Sequence, residues 1–385
     1  VTAADLAFPD PARGERRARW ISAQAAPPSS LESVDDGTPA SAALARARAG
    51  AGLAHLGDYH NARALLAAMG RRLAAGVRER ARAPADTRAL FLAERRLRLL
   101  EHDVLSRLAV PAEPGWRITL RRAPDVAAAC EGAFGPHPGG LAVVPLRELL
   151  GAIGAHEWRR KGVPVPALGA RVHPHHGVYA PVRGEYVDLV AEASRGWPGA
   201  GRDALDVGTG TGVLAILLAR AGARVVATDD APVAVACARE NAARLGVADR
   251  VEVVLADLFP PAGRFDLVVS NPPWLPADAV SPLERAVYDS GGRFLARLVA
   301  GLPERLRPGG EAWIVLSDLA ERLGLRPRGH LEALVREAGL AVIAVAETRP
   351  THPRAADPAD PLHAARRAEV TRLYRLRAAG DPRSP

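Results

Sequence analysis

The chain has 385 residues, 48% of them hydrophobic, with a formal net charge of +8. That length suits two domains with sizeable cores. Two cysteines, Cys130 and Cys237, leave no disulfide framework and no cysteine metal cluster, no apolar run approaches the ~20 residues of a membrane span, and no secretory signal opens the chain. The expectation is a soluble, reduced, cytoplasmic protein with no membrane partner. Val1 in the place of Met fits either an alternative start codon or a trimmed terminus.

The charge is uneven. Residues 1–122 carry 20 arginines against 13 acidic residues, and the rest is close to neutral. A basic half can serve an acidic or nucleic-acid partner. Lys161 is the only lysine, however, and Ala, Gly, Pro and Arg abound, as codon bias in a GC-rich genome would produce. Residues 1–40, with "AAPPSSLESVDDGTP", read as a loose lead-in. Residues 41–170 read as a mainly helical domain. Leu53, Leu56, Leu65, Leu66, Met69 and Leu73 recur near helical spacing, and "TRALFLAERRLRLLEHDVLSRL" repeats the pattern. A short strand, "WRITLRR", and a helix near 145–160 follow.

Residues 171–385 read as a second domain. "DALDVG", "ARVVATD", "RVEVVLAD", "FDLVVS" and "EAWIVLS" are short apolar strands. They alternate with helices such as "APVAVACARENAARLG", which has Pro232 near its start and Gly246 past its end. This rhythm predicts an α/β fold: a doubly wound, mostly parallel sheet covered on both faces. "LAVIAVAET" and "EVTRLYRLRA" have no helical pattern between them and are predicted to pair as an antiparallel hairpin at one edge. The polar insert of 349–367 separates them and is expected to wall a substrate cleft.

"LDVGTGTGVL" (205–214) joins the first strand of that sheet to its first helix. Gly208, Gly210 and Gly212, with Thr209 among them, allow a tight turn and close approach to a ligand. The spacing departs from G-x-G-x-x-G, the fingerprint of dinucleotide binding. Asp206 stands in front of the turn, where a carboxylate repels pyrophosphate but suits an ammonium. Asp229 ends the second strand and suits a ribose diol. Asp257 follows the third strand and can meet an adenine amino group. Amino acid, ribose and adenine together describe S-adenosyl-L-methionine.

"VVSNPPWL" (268–275) stands at the carboxyl end of the fourth strand, the side on which such sheets bind ligands. Pro272 and Pro273 stiffen the bend and push Asn271 towards extended backbone. Asn271 offers a side-chain oxygen and Pro272 a backbone carbonyl. The pair can hold both hydrogens of a flat –NH2 group, and Trp274 supplies a face for stacking. The target is a glutamine side chain or the exocyclic nitrogen of adenine, guanine or cytosine. "HPHH" (173–176) lacks a completing ligand set for a metal and reads as a loop cap or cofactor entrance.

Asn271–Trp274 resembles the (Asn/Asp)-Pro-Pro-aromatic signature of N-methyltransferases. "GVYAPVRGEYVDLVAEA" (177–193), "DLFPPAGRFDLVVSNPPWLP" and "AVYDSGGRFLARLVAGL" resemble segments of the HemK family, the glutamine methyltransferases of translation termination factors. The resemblance covers about residues 175–347. It implies a Rossmann-like, seven-stranded methyltransferase sheet and S-adenosyl-L-methionine as cofactor. Asp206, Gly208, Gly210, Asp229 and Asp257 would hold that cofactor, while Asn271 and the Pro272 carbonyl would bind the amide. The family usually has Tyr where Trp274 stands, and its small helical amino-terminal domain is not recognisable in residues 1–170. The expected partner is a protein, such as a termination factor. The alternatives are a structured RNA, or an inactive cofactor-binding protein acting as an assembly partner.

Overall fold

In "GERRARWIS" (14–22) arginines alternate with Ala18 and Trp20, which points one side of the segment inwards and the other to water. The computed structural model describes residues 2–80, 86–350 and 357–380. In it this segment is strand β2 (Gly14–Ser22), paired antiparallel with β1 (Thr2–Asp10). With β3 (Ser30–Val34), three strands stand where a loose lead-in was expected. The chain divides into two units, Val1–Glu157 and Trp158–Pro385, so the expected boundary after residue 170 moves to within a helix.

The first unit is not mainly helical. Its helices α1 (Ala40–Arg48), α2 (Tyr59–Arg80), α3 (Thr87–Leu105), α4 (Ala127–Phe134) and α5 (Leu146–Lys161) accompany β4 (Ala51–His55), β5 (Leu108–Glu113), β6 (Arg117–Ile118) and β7 (Ala142–Pro145). The seven-stranded sheet has the order β1-β2-β7-β5-β4-β3, with β6 on β5. Phe8, Ala18, Trp20, Leu31, Ala54, Ala109 and Val143, from six strands, form one buried cluster. Ser33 of β3 donates to the Pro9 carbonyl of β1, so the sheet curls until its outer strands meet. Leu65, Met69, Leu73, Leu105 and Leu149 of the helices pack with Leu53, Leu108 and Val110 of the strands in a larger core. β4 was missed because all five of its residues are buried, which erases the polar–apolar alternation that marks a strand.

The second unit follows the predicted rhythm. After a small antiparallel pair, β8 (Val163–Val165) and β9 (Ala170–Val172), come α6 (Glu185–Arg195), β10 (Asp203–Val207), α7 (Val213–Arg220), β11 (Arg224–Asp229), α8 (Pro232–Arg244), β12 (Val251–Leu255) and β13 (Phe265–Ser270). Then follow α9 (Arg293–Arg305), β14 (Leu306–Ser317), α10 (Leu319–Arg322), α11 (His330–Glu337), β15 (Leu340–Thr348), α12 (His363–Arg367) and β16 (Thr371–Ala378). The sheet order is β12-β11-β10-β13-β14-β16-β15, and β16 alone runs opposite to the other six strands.

Successive strand residues serve opposite faces. Ala204, Leu267 and Trp313 pack with α6, α7 and α8, while Leu205, Val268 and Ile314 pack with α9 and α11. This is the doubly wound, seven-stranded sheet that the sequence predicts. Its order reverses at β10, between β11 and β13, and so opens a crevice at the carboxyl ends of those strands. β15 and β16 pair antiparallel at one edge as expected, although the short helix α12 stands between them where no helical pattern was read. Part of the insert between them, 351–356, lies outside the described residues. Among the described residues, no helix is long and apolar enough to cross a membrane.

Candidate active site

The glycine turn follows β10 directly. The backbone N–H groups of Gly208 and Thr209 both donate to the Thr228 carbonyl of β11, each at 2.9 Å, and pin the turn to the neighbouring strand. Gly210 has φ +54° and Gly212 φ +82°, a region that side-chain-bearing residues avoid. At Gly212 a Cβ would also lie 3.2 Å from Ala238 of α8, so this glycine lets the helix approach. At Gly210 a Cβ would meet nothing within 4 Å, which leaves that part of the turn open.

Two acids flank this turn. Asp206 is buried; its Oδ2 accepts from the Thr209 hydroxyl (2.6 Å) and from Ala215 N–H (3.0 Å). Burial pushes its carboxyl up to about 6, against those hydrogen bonds, and the nearby charge of Asp229 adds to the rise. Asp229 accepts from Gly210 N–H on Oδ2 and from Ala231 N–H on Oδ1, both at 3.0 Å, and burial raises its pKa as well. Asp257 sits apart in character. It is 65% exposed, and Arg297 of α9 grips it with two hydrogen bonds of 3.3 and 2.8 Å.

β10 and β13 are neighbours in register, Val207 beside Ser270, and the Ser270 hydroxyl donates to the Val207 carbonyl at 2.8 Å. Gly208 and Asn271 are therefore the first residues beyond two adjacent strand ends. The topology brings together Asp206, Gly208, Thr209, Gly210, Gly212 and Asp229 with Asn271, Pro272, Pro273 and Trp274. The Trp274 indole N–H donates to Asn271 Oδ1 at 3.0 Å.

Sequence reading did not single out the residues that hold this bend. The Arg183 guanidinium lies 5.0 Å from the centre of the Trp274 ring. It is anchored in turn by Glu185 (3.0 Å) and by the fully buried Glu369 (3.0 Å). Arg326, 6% exposed, donates from Nη2 to the Trp274 carbonyl at 3.1 Å. Asp289 accepts from Phe294 and Leu295 N–H groups and so starts α9, placing Phe294 3.5 Å from where a Gly208 Cβ would stand. Arginines separated from Trp274 by tens of residues leave no spacing signal, whereas Asp289 a few residues before "FLARLV" is a local signal for a helix start.

Two of the histidines of 173–176, His173 and His175, anchor their loop. His173 Nδ1 lies 2.6 Å from the Arg159 carbonyl, and His175 Nε2 lies 2.7 Å from Glu240 Oε2. No group of three or more metal-ligating side chains comes together among the described residues.

The chain matches the methyltransferase small domain family over residues 189–338. It is 40% identical over 155 residues to the release factor glutamine methyltransferase of Cereibacter sphaeroides, covering 37% of this chain and 53% of that protein. With the release factor glutamine methyltransferase of Geobacter sulfurreducens it shares 38% over 143 residues, 33% of this chain and 49% of the relative. The chain thus spans about half the length of these curated relatives. Among solved structures it is similar to a ribosomal protein L11 methylase from Lactobacillus delbrueckii subsp. bulgaricus. That likeness has 20% identity and a TM-score of 0.37, over 51% of this chain and 79% of the other. The sequence likeness to the methyltransferase small domain family therefore falls on the second unit, on the residues that build the glycine turn and the Asn271–Trp274 bend.

Proposed function

We propose that this chain transfers a methyl group from S-adenosyl-L-methionine to a flat amide nitrogen, the side chain of a protein glutamine in a translation termination factor. The register that sets Asn271 beside the glycine turn carries this reading. The cofactor fits the site on a separate ground. A buried carboxylate, Asp206, and a half-buried one, Asp229, both with raised pKa, converge on a turn that is open at Gly210. Negative charge in a desolvated place suits a cationic ligand. Asp206 and the turn would hold its amino-acid end, Asp229 its ribose and Asp257 its adenine. When bound, the cofactor supplies an electrophilic methyl carbon.

The chain's own part is positioning. Asn271 Oδ1 and the Pro272 carbonyl accept the two amide hydrogens, which turns the nitrogen's remaining lone pair away from them. Trp274 gives the flat group a surface. Fixed geometry of this kind can lower a barrier by several kcal/mol, on the order of 7–11 in the best intramolecular cases. No strong base is needed, because the nitrogen loses its proton readily once methylated.

The test is transfer of labelled methyl into cell extract, followed by ribonuclease or protease. Label that survives ribonuclease and is lost to protease supports the proposal; label lost to ribonuclease refutes the protein substrate. Structured RNA is the second reading, favoured by the arginine excess of residues 1–122. It requires binding that weakens steeply with salt. Asn271→Ala should abolish transfer while S-adenosylhomocysteine still binds, and retained transfer would remove Asn271 from the mechanism.

A further inference from the structure

The HemK-like signature ends in an aromatic residue, for which the reading above needs only a face. Here that residue is Trp274, and its ring carries a donor. An indole N–H can only donate, so the Asn271 atom 3.0 Å from it must be the carbonyl oxygen. The bond therefore decides which way the Asn271 amide is turned. Trp274 is held through its ring and through its backbone. Arg183 lies over its ring at 5.0 Å, Arg326 holds its carbonyl at 3.1 Å, and its backbone N–H donates to Val287 at 3.1 Å. The ring therefore cannot swing without leaving Arg183 and breaking its bond to Asn271, while Arg326 and Val287 fix the backbone that carries it.

We propose that Trp274 is a positioning residue for Asn271. Its indole N–H occupies one lone pair of Asn271 Oδ1 and fixes the other as an oriented acceptor for the substrate nitrogen. The free amide of an asparagine would otherwise rotate, and half of its orientations would present –NH2, a donor, to the incoming –NH2 group. With the lock in place the bend offers two acceptors, Asn271 Oδ1 and the Pro272 carbonyl, before the substrate arrives. Phenylalanine would supply the face without the lock. This inference rests on the methyl-transfer reading for its kinetic consequence but not for the bond itself.

Two measurements test it. In nitrogen-15 NMR spectra the Trp274 indole resonance, one of six, is assigned by its loss in Trp274→Phe. In Asn271→Ala that indole hydrogen should exchange with solvent at least about tenfold faster, while Asn271→Asp, which keeps an acceptor, should restore the protection. Unchanged exchange in Asn271→Ala would overturn the proposal. In methyl transfer to a recombinant termination factor, Trp274→Phe should lower kcat about five- to tenfold, the worth of one hydrogen bond. KM for the factor and affinity for S-adenosylhomocysteine should stay within about twofold. A wild-type kcat in that variant would also overturn the proposal. If the wild-type protein methylates no glutamine while indole exchange still depends on residue 271, the glutamine reading fails and the lock stands.

Discussion

Replacing Asp206 by Asn should make the second unit more stable and bind its cofactor less well, with a pH dependence that identifies the cause. Burial raises the Asp206 carboxyl from 3.8 to about 6 in the folded chain. The protonated form thus favours folding: the stability it carries is complete below pH 3.8 and is lost as pH rises through about 6. The two values put the cost of the ionised group at pH 8 at about 3 kcal/mol. Asparagine keeps an oxygen for the Thr209 hydroxyl and Ala215 N–H but buries its own amide hydrogens. That takes back about 1–2 kcal/mol. Urea unfolding followed by circular dichroism should therefore show Asp206→Asn about 1–2 kcal/mol more stable than wild type at pH 8, with the gain gone at pH 4. S-adenosylhomocysteine should bind the variant about tenfold more weakly at pH 8, since a charge-assisted contact to its ammonium is lost. The wild-type protein should release a proton to buffer on binding at pH 6, measurable by calorimetry in two buffers. A variant less stable than wild type at pH 8, or equally shifted at pH 4 and pH 8, would refute the account.

Asp229→Asn should weaken S-adenosylhomocysteine binding about ten- to hundredfold by titration calorimetry, because the acceptors offered to the ribose diol lose their charge. Gly210→Ala and Gly212→Ala separate backbone from packing. Both pay about 1–2 kcal/mol for positive φ, but only the second drives a Cβ to 3.2 Å from Ala238, so its melting temperature should fall further. Trp20→Ala should destabilise the first unit by about 3–5 kcal/mol in urea, as loss of a fully buried tryptophan does. An unaffected first unit would mean that residues 1–40 are the loose segment the composition implies.

The second unit was legible because its signals are local. Each strand is a short apolar run, each glycine marks a turn, and Asn271–Trp274 is contiguous, so chemistry and order along the chain survive without coordinates. The first unit was not. Its strand β4 is buried on both faces and shows no alternation, and β2 carries arginines dense enough to pass for a solvated segment. Spacing assigned Asp257 to the cofactor with the other acids but could not show that its carboxylate also meets Arg297, 40 residues further on.

By itself, then, the sequence determined which chemical groups stand at which strand ends of the second unit, since period, turn residues and motif are properties of neighbours along the chain. Only the tertiary structure decided that residues 2–22 are a hairpin, that Arg183 and Arg326 grip Trp274, and that an indole N–H orients Asn271. Those pairings depend on which distant or turned-back groups the packed sheets bring within hydrogen-bonding range, and nothing in local spacing encodes that distance.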